Sequence, residues 1–288
     1  MLYIFLFLLT AFTINLINAL KWKLIINSVG HDVGFWKLLT YRGAADAVSY
    51  LTPFAKLGGD PLRAYLLKKN GISGIKSLAT VVVDRLCDMM VFGSIAAVMT
   101  VALLGLVTLP NYEREILLVA LVLMAMIIVL LYFMSITKGI LTSIFMLLPR
   151  LQLFKRTIQK VREIDQISTQ FFKEKKSTLV KVILLGMIQW CLIILEFKLA
   201  TLIIGYDAST VELLLMILAV SITNMIPIPA GLGVLEAGQV SLFRLLGSGA
   251  QIGLAFSFIL RLKDALWALC GLIFLSQEGL NFFQKLKK

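Results

Sequence analysis

Eleven polar residues of this chain could do chemistry together, and each stands in or beside an apolar run. Lys56, Asp60 and Arg63 form a first group, and Asp84, Arg85 and Asp88 a second. Asn224, Glu236, Arg261, Lys263 and Asp264 form a third. Arginine's planar fork can make two parallel hydrogen bonds to phosphate oxygens, while lysine supplies a compact point charge. The pattern points to a polar cavity that holds an anion such as a lipid phosphate. Arg63 and Arg85 would be its main contacts, with Asp60 and Asp84 orienting them. The competing reading is a set of internal salt bridges that fixes helix packing. A charge at the bilayer centre costs about 2.5–3.5 kcal/mol or more, so the six residues of the first two groups favour a site. For the third group, the far half of the same site, a buried structural pair stands about equally well.

Other chemistries lack material. His31 is the only histidine, and Cys87, Cys191 and Cys270 show no CxxC or Cys/His spacing. Neither a metal site, a disulfide framework nor a cofactor is expected. Asp84 and Asp88 could be a carboxylate pair for a phosphatase or glycosyltransferase. Such an enzyme needs a metal, or a nucleophile with its base, and the sequence offers neither clearly. Gly231-x-Gly233 is no dinucleotide fingerprint, since it has neither a third glycine nor a preceding strand.

The elements that must position these residues are two breaks in apolar sequence. Between Leu51 and Tyr65 stand Pro53, Gly58, Gly59 and Pro61, and between Pro227 and Gly233 stand Pro227, Pro229, Gly231 and Gly233. Proline removes a backbone donor and paired glycine weakens a helix, so no uninterrupted helix runs through either stretch. Broken backbone at membrane depth survives only where protein or a water-filled cavity covers it. And the setting is a membrane: of 288 residues 59% are hydrophobic and 15% charged, with a mean hydropathy of +0.93. The net charge of +12 sits in short segments between apolar runs, a positive-inside pattern rather than a nucleic-acid surface.

Taken in order, Leu2–Leu20 reads as a retained first span with its start outside, ended by the interfacial anchor Lys21-Trp22-Lys23. Trp36–Leu67 is a hairpin with basic flanks at both ends, so it enters and leaves on the inner face. Ser77–Leu106 is the second span, with Asp84 roughly 10 Å along it. The shared face of Asp84 and Asp88 is expected to point at the first hairpin. Pro110–Glu115 is an outer loop, Ile116–Ile136 a third span, and Gly139–Leu148 an apolar piece too short to cross. Arg150–Lys181 is inside, with Phe154, Ile158, Val161, Ile164, Ile167 and Phe171 as the stripe of an amphipathic helix lying on the inner leaflet. Leu179–Ile204 is the fourth span, with Glu196 and Lys198 snorkelling at its outer end. Leu213–Leu246 is a second hairpin entered from outside, and Ala250–Leu275 the fifth span. The basic tail lies inside.

The two halves mirror each other. Pro53 precedes Asp60 by seven residues, Pro229 precedes Glu236 by seven, and glycines lie between in both. The expected fold is an all-α polytopic membrane protein with about five full spans and two oppositely oriented re-entrant hairpins in an inverted repeat. Residues 1–106 and 179–276 form the repeats, 116–136 an extra span and 150–178 a cytoplasmic helix. The whole is a single membrane domain. Such repeats place a substrate near the midplane where the broken elements meet.

Leu51-Thr52-Pro53, Gly58-Gly59-Asp60, Leu62 to Leu67, Ala79 to Asp88, Ala19 to Trp22 and Pro227 to Glu236 together resemble the lysylphosphatidylglycerol synthase transmembrane-region, or flippase-like, family. The resemblance spans nearly the whole chain. It implies a multi-pass cell-membrane protein linked to moving aminoacylated phospholipids or polyprenyl-linked sugars across the bilayer. Family members usually begin with one more span, and this chain carries no acyltransferase-like soluble domain. The expected function is therefore lipid translocation, with a membrane lipid as ligand and a second copy or a lipid-modifying enzyme as partner. The alternatives are a membrane enzyme acting on a lipid-linked phosphate or sugar, and a secondary transporter of small anions.

Overall fold

A computed structural model describes residues 1–52, 58–106, 111–137, 142, 155–224 and 226–286. Pro53, Lys56, Pro110, Phe154 and nearly all of Gly139–Leu148 lie outside the described residues.

The described chain is helical, without a strand. Its α-helices are α1 (Leu2–Ser28), α2 (Phe35–Leu51), α3 (Asp60–Lys69), α4 (Gly74–Leu106), α5 (Asn111–Thr137), α6 (Lys155–Glu174), α7 (Lys176–Ile203), α8 (Thr210–Thr223), α9 (Val234–Leu245) and α10 (Ala250–Leu286). A 3₁₀ turn, Pro229–Gly231, lies between α8 and α9. Of these, α1 and α7 are long and apolar enough to cross a bilayer. Local chemistry sets several boundaries. In α3, Asp60 opens the helix and Lys68 and Lys69 close it, each charge matching the dipole end it sits on. In α8, Ser209 and Glu212 form a capping box, with the Ser209 N–H donating to Glu212 Oε2 at 2.6 Å.

Two boundaries differ from expectation. Helix α1 runs eight residues beyond Leu20, and there Lys21 and Trp22 are buried by protein (1% and 0% exposed). Helix α5 already begins at Asn111, so residues 111–115, read as part of an outer loop, are helical.

The chain divides into two compact units. One comprises Met1–Ala19, Gly34–Leu66 and Cys191–Lys288, and so holds both broken stretches. Here α2 packs along α10, α9 packs on α8 and α10, and α2 touches the 3₁₀ turn. Gly43 and Gly271 let α2 and α10 approach backbone to backbone. A Cβ on Gly271 would overlap the Gly43 carbonyl oxygen and stand 2.8 Å from Ala47 Cβ. Without a hydrophobic drive between helices in lipid, such small-residue contacts are a main source of attraction. Phe256 packs between Phe197 and Phe243, at ring separations of 5.5 and 6.2 Å.

The other unit comprises Leu20–Val33 and Leu67–Trp190. Its core gathers Ile25, Val83, Leu86, Cys87, Met90, Phe171, Phe172 and Val182. Helix α6 packs on α4 and α5. Its apolar stripe is therefore buried by protein at Ile164, Phe171 and Phe172, while Lys160, Arg162 and Lys173 are exposed.

Candidate functional site: a guanidinium on broken backbone

The second break owes its shape to its residues. Pro227 and Ile228 are not helical, Pro229 starts the 3₁₀ turn, and Ala230, Gly231 and Gly233 then take φ of +52°, +59° and +80°. Only glycine adopts this region without strain, and Ala230 occupies it with a Cβ. Backbone that leaves the helix in this way also leaves carbonyls without helical donors.

Arg261 of α10 satisfies them. Its Nη1 donates to the Ala230 carbonyl and its Nη2 to the Gly231 carbonyl at 2.6 Å. Its Nε and Nη2 also grip the Glu236 carboxylate, at 2.8 Å to Oε1 and 3.2 Å to Oε2. Tyr50 of α2 lies near the same guanidinium. Beside it lies a cavity of about 370 Å³ lined by Glu236, Leu254, Ala255, Phe258 and Arg261. Leu254 and Phe258 continue along α10 as an exposed apolar line through Leu262, Leu266, Leu269 and Ile273. Spacings of three and four residues keep that line on one helix face. A charged group at one end and an uncovered apolar track at the other suit an amphiphile.

Lys263 stands 3.1 Å from Glu196 Oε1 of α7 and 3.6 Å from its neighbour Asp264. Glu196, read from sequence as an interfacial residue, is 4% exposed and is Lys263's nearer partner. Lys198, read with it as snorkelling, instead bonds the Asp207 carboxylate and the Ala208 carbonyl. Asn224 caps α8 through its backbone N–H, which bonds Val220 O at 3.0 Å.

At the first break the Gly59 N–H donates to Ser49 Oγ at 2.8 Å. A Cβ on Gly59 would overlap the Ala45 carbonyl oxygen, so glycine is required where α2 and the returning arm touch. A Cβ on Gly58 would meet the Thr52 side chain. Arg63 is buried (2% exposed), with Nη1 3.6 Å from Asp60 Oδ1. Arg42, on the descending arm, donates to the Asn18 carbonyl at 3.1 Å.

Asp84, Arg85 and Asp88 belong to the other compact unit, from which Asp60 and Arg63 are absent. There Asp84 is fully buried and Arg85 half-buried. Asp88 receives Lys21 Nζ at 2.5 Å, and Trp22 Nε1 donates to Thr80 Oγ1 at 3.4 Å. Sequence reasoning missed the partnerships of Lys21 and Glu196. A lysine flanking a tryptophan looks like an anchor, and nothing local in the sequence names its partner. Among the described residues no cluster of His, Cys, Asp and Glu could hold a metal ion.

A family model described as the lysylphosphatidylglycerol synthase transmembrane region matches residues 1–270. Three archaeal relatives are each named UPF0104 membrane protein. The one from Methanothermobacter thermautotrophicus is 28% identical over 90% of this chain and 80% of its own. That from Pyrococcus horikoshii is 24% identical over 86% of this chain and 78% of its own. That from Methanocaldococcus jannaschii is 23% identical over 90% and 80%. No solved structure matches the chain.

Proposed function

The chain belongs to the lysylphosphatidylglycerol synthase transmembrane-region family, a family of membrane proteins, and on that premise we propose that it translocates an anionic lipid across the bilayer. The ligand is a phospholipid or polyprenyl phosphate whose head group passes a polar cavity, while its chains stay on apolar helix surface. In this reading the chain is multi-pass, with α2–α3 and α8–α9 as re-entrant hairpins of an inverted repeat. The 150–178 segment and the C-terminus face the cytoplasm. Arg261, Glu236, Arg63 and Asp60 serve the head group in one unit. Lys263, Asp264 and Asn224 support that side, and Asp84, Arg85 and Asp88 are the candidate polar residues of the other unit.

One observation carries the reading. Arg261 and Glu236 line a cavity of about 370 Å³ whose other walls, Leu254, Ala255 and Phe258, begin the exposed apolar line of α10. A site for a small soluble anion needs no such track. A lipid phosphate needs both halves, a guanidinium fork and a surface that tolerates acyl chains.

The test is movement of labelled lipid in proteoliposomes, scanning phosphatidylglycerol, aminoacylated phosphatidylglycerol and polyprenyl phosphates. Wild type is expected to move at least one of them, and folded Arg261→Ala and Arg63→Ala to lose that activity. No movement of any lipid by folded wild type overturns the reading. Product formed in detergent, with no second compartment, would make the protein an enzyme instead.

A further inference from the structure

Four of the five N–H groups of Arg261 are already engaged. A guanidinium has five N–H groups in a fixed fork. Nε–H goes to Glu236 Oε1, Nη2 serves both Gly231 O and Glu236 Oε2, and Nη1 serves Ala230 O. A single N–H remains on Nη1, so no adjacent pair of N–H groups is left for the two oxygens of a phosphate. The residue best placed to hold a lipid anion is therefore closed in this conformation, and Glu236 closes it.

We infer that the Glu236 carboxylate is an internal counter-anion which a lipid phosphate must displace from Arg261, and that this displacement releases the backbone turn at Ala230–Gly231. The inference rests on the translocator reading and adds a latch to it. A carboxylate and a phosphate monoanion present the same pair of oxygens to a guanidinium, so they compete for one fork. Once Glu236 leaves, Arg261 must reorient toward the cavity that the two residues share, and the carbonyls of Ala230 and Gly231 lose their donor. Ala230, at φ +52°, is then held in a strained conformation by fewer bonds. Ligand binding is thereby tied to movement of the second break, because the ligand favours the state in which Glu236 is displaced.

Amide hydrogen exchange over residues 226–237 of the purified full chain, with dodecyl phosphate as the probe amphiphile, reads both halves of the latch. Wild type is expected to be protected without the probe and to exchange faster with it. Glu236→Gln keeps the shape and removes the charge, so it should exchange faster without any probe. It should also bind dodecyl phosphate roughly tenfold more tightly, as expected when the competent state is no longer rare. Should Glu236→Gln fail to fold, Glu236→Asp keeps the charge on a shorter stem, and a smaller change in the same direction is expected. Unchanged protection together with equal or weaker binding in the variant overturns the latch. Wild type binding dodecyl phosphate with no change in exchange also overturns it, leaving translocation standing. Fast exchange in the variant with no binding by either protein removes phosphate as the displacing group and counts against the translocator reading itself.

Discussion

Lys21 Nζ lies 2.5 Å from Asp88 Oδ1 across 67 residues of sequence, with the lysine 1% exposed and the aspartate 29%. The pair joins the end of α1 to α4 inside the second unit. It also reassigns a residue that local composition places in the membrane interface.

Removing one partner of a buried pair strands the other. Lys21→Met is therefore expected to cost about 2–3 kcal/mol, at the low end of the handicap for buried pairs because Asp88 keeps some solvent. Lys21→Met with Asp88→Leu should recover most of that loss. Thermal unfolding in detergent of the two single variants and the double variant checks this, and additive losses would show that the pair is not coupled.

Arg261 grips a carboxylate with two bonds and two carbonyls with others, a geometry that only a planar fork supplies. Arg261→Lys keeps the charge and should still lower lipid transport by about tenfold or more. A lysine variant transporting at wild-type rate would mean that charge alone suffices.

Gly271 meets the backbone of Gly43. Gly271→Val is expected to force α2 and α10 apart and to cost about 1–3 kcal/mol, as overpacking does. The readout is the unfolding midpoint in detergent. An unchanged midpoint would show that the two helices do not rely on this contact.

Outside the helical spans, Tyr206 donates to Glu212 and shares a hydrogen bond with Ser248 at 2.9 Å. Burial raises the Glu212 carboxyl, but donation from Tyr206 and Ser209 and the nearby Lys198 more than offset it, leaving it below its ordinary 4.5. A depressed carboxyl contributes stability that is present above its ordinary value and lost as pH falls through the folded one. Amide protection of residues 205–212, taken relative to the intrinsic exchange rate at each pH, should therefore fall between about pH 5 and about pH 3, and Glu212→Gln should flatten that dependence. A profile identical in both proteins would assign the acid response to other carboxylates.

Much of the architecture is legible without coordinates, because it rests on local properties. Hydropathy marks the apolar helices, and proline and glycine mark the breaks. The candidate residues Glu236 and Arg261 stand out for the same reason, as charges within apolar sequence. What the residues do to one another is not local. The seven-residue spacing of Pro229 and Glu236 says nothing of Arg261, whose fork reaches the break only because α9 packs on α10. Composition paired Lys21 with the interface and left Glu196 as a snorkelling residue, yet helix docking gave them Asp88 and Lys263. A charge buried in a low-dielectric interior takes whichever opposite charge the packing brings within a few ångströms. The sequence by itself thus determined a helical membrane chain with two breaks and charges near them. The tertiary structure alone decided which charges meet, because that depends on how helices distant in sequence are set side by side.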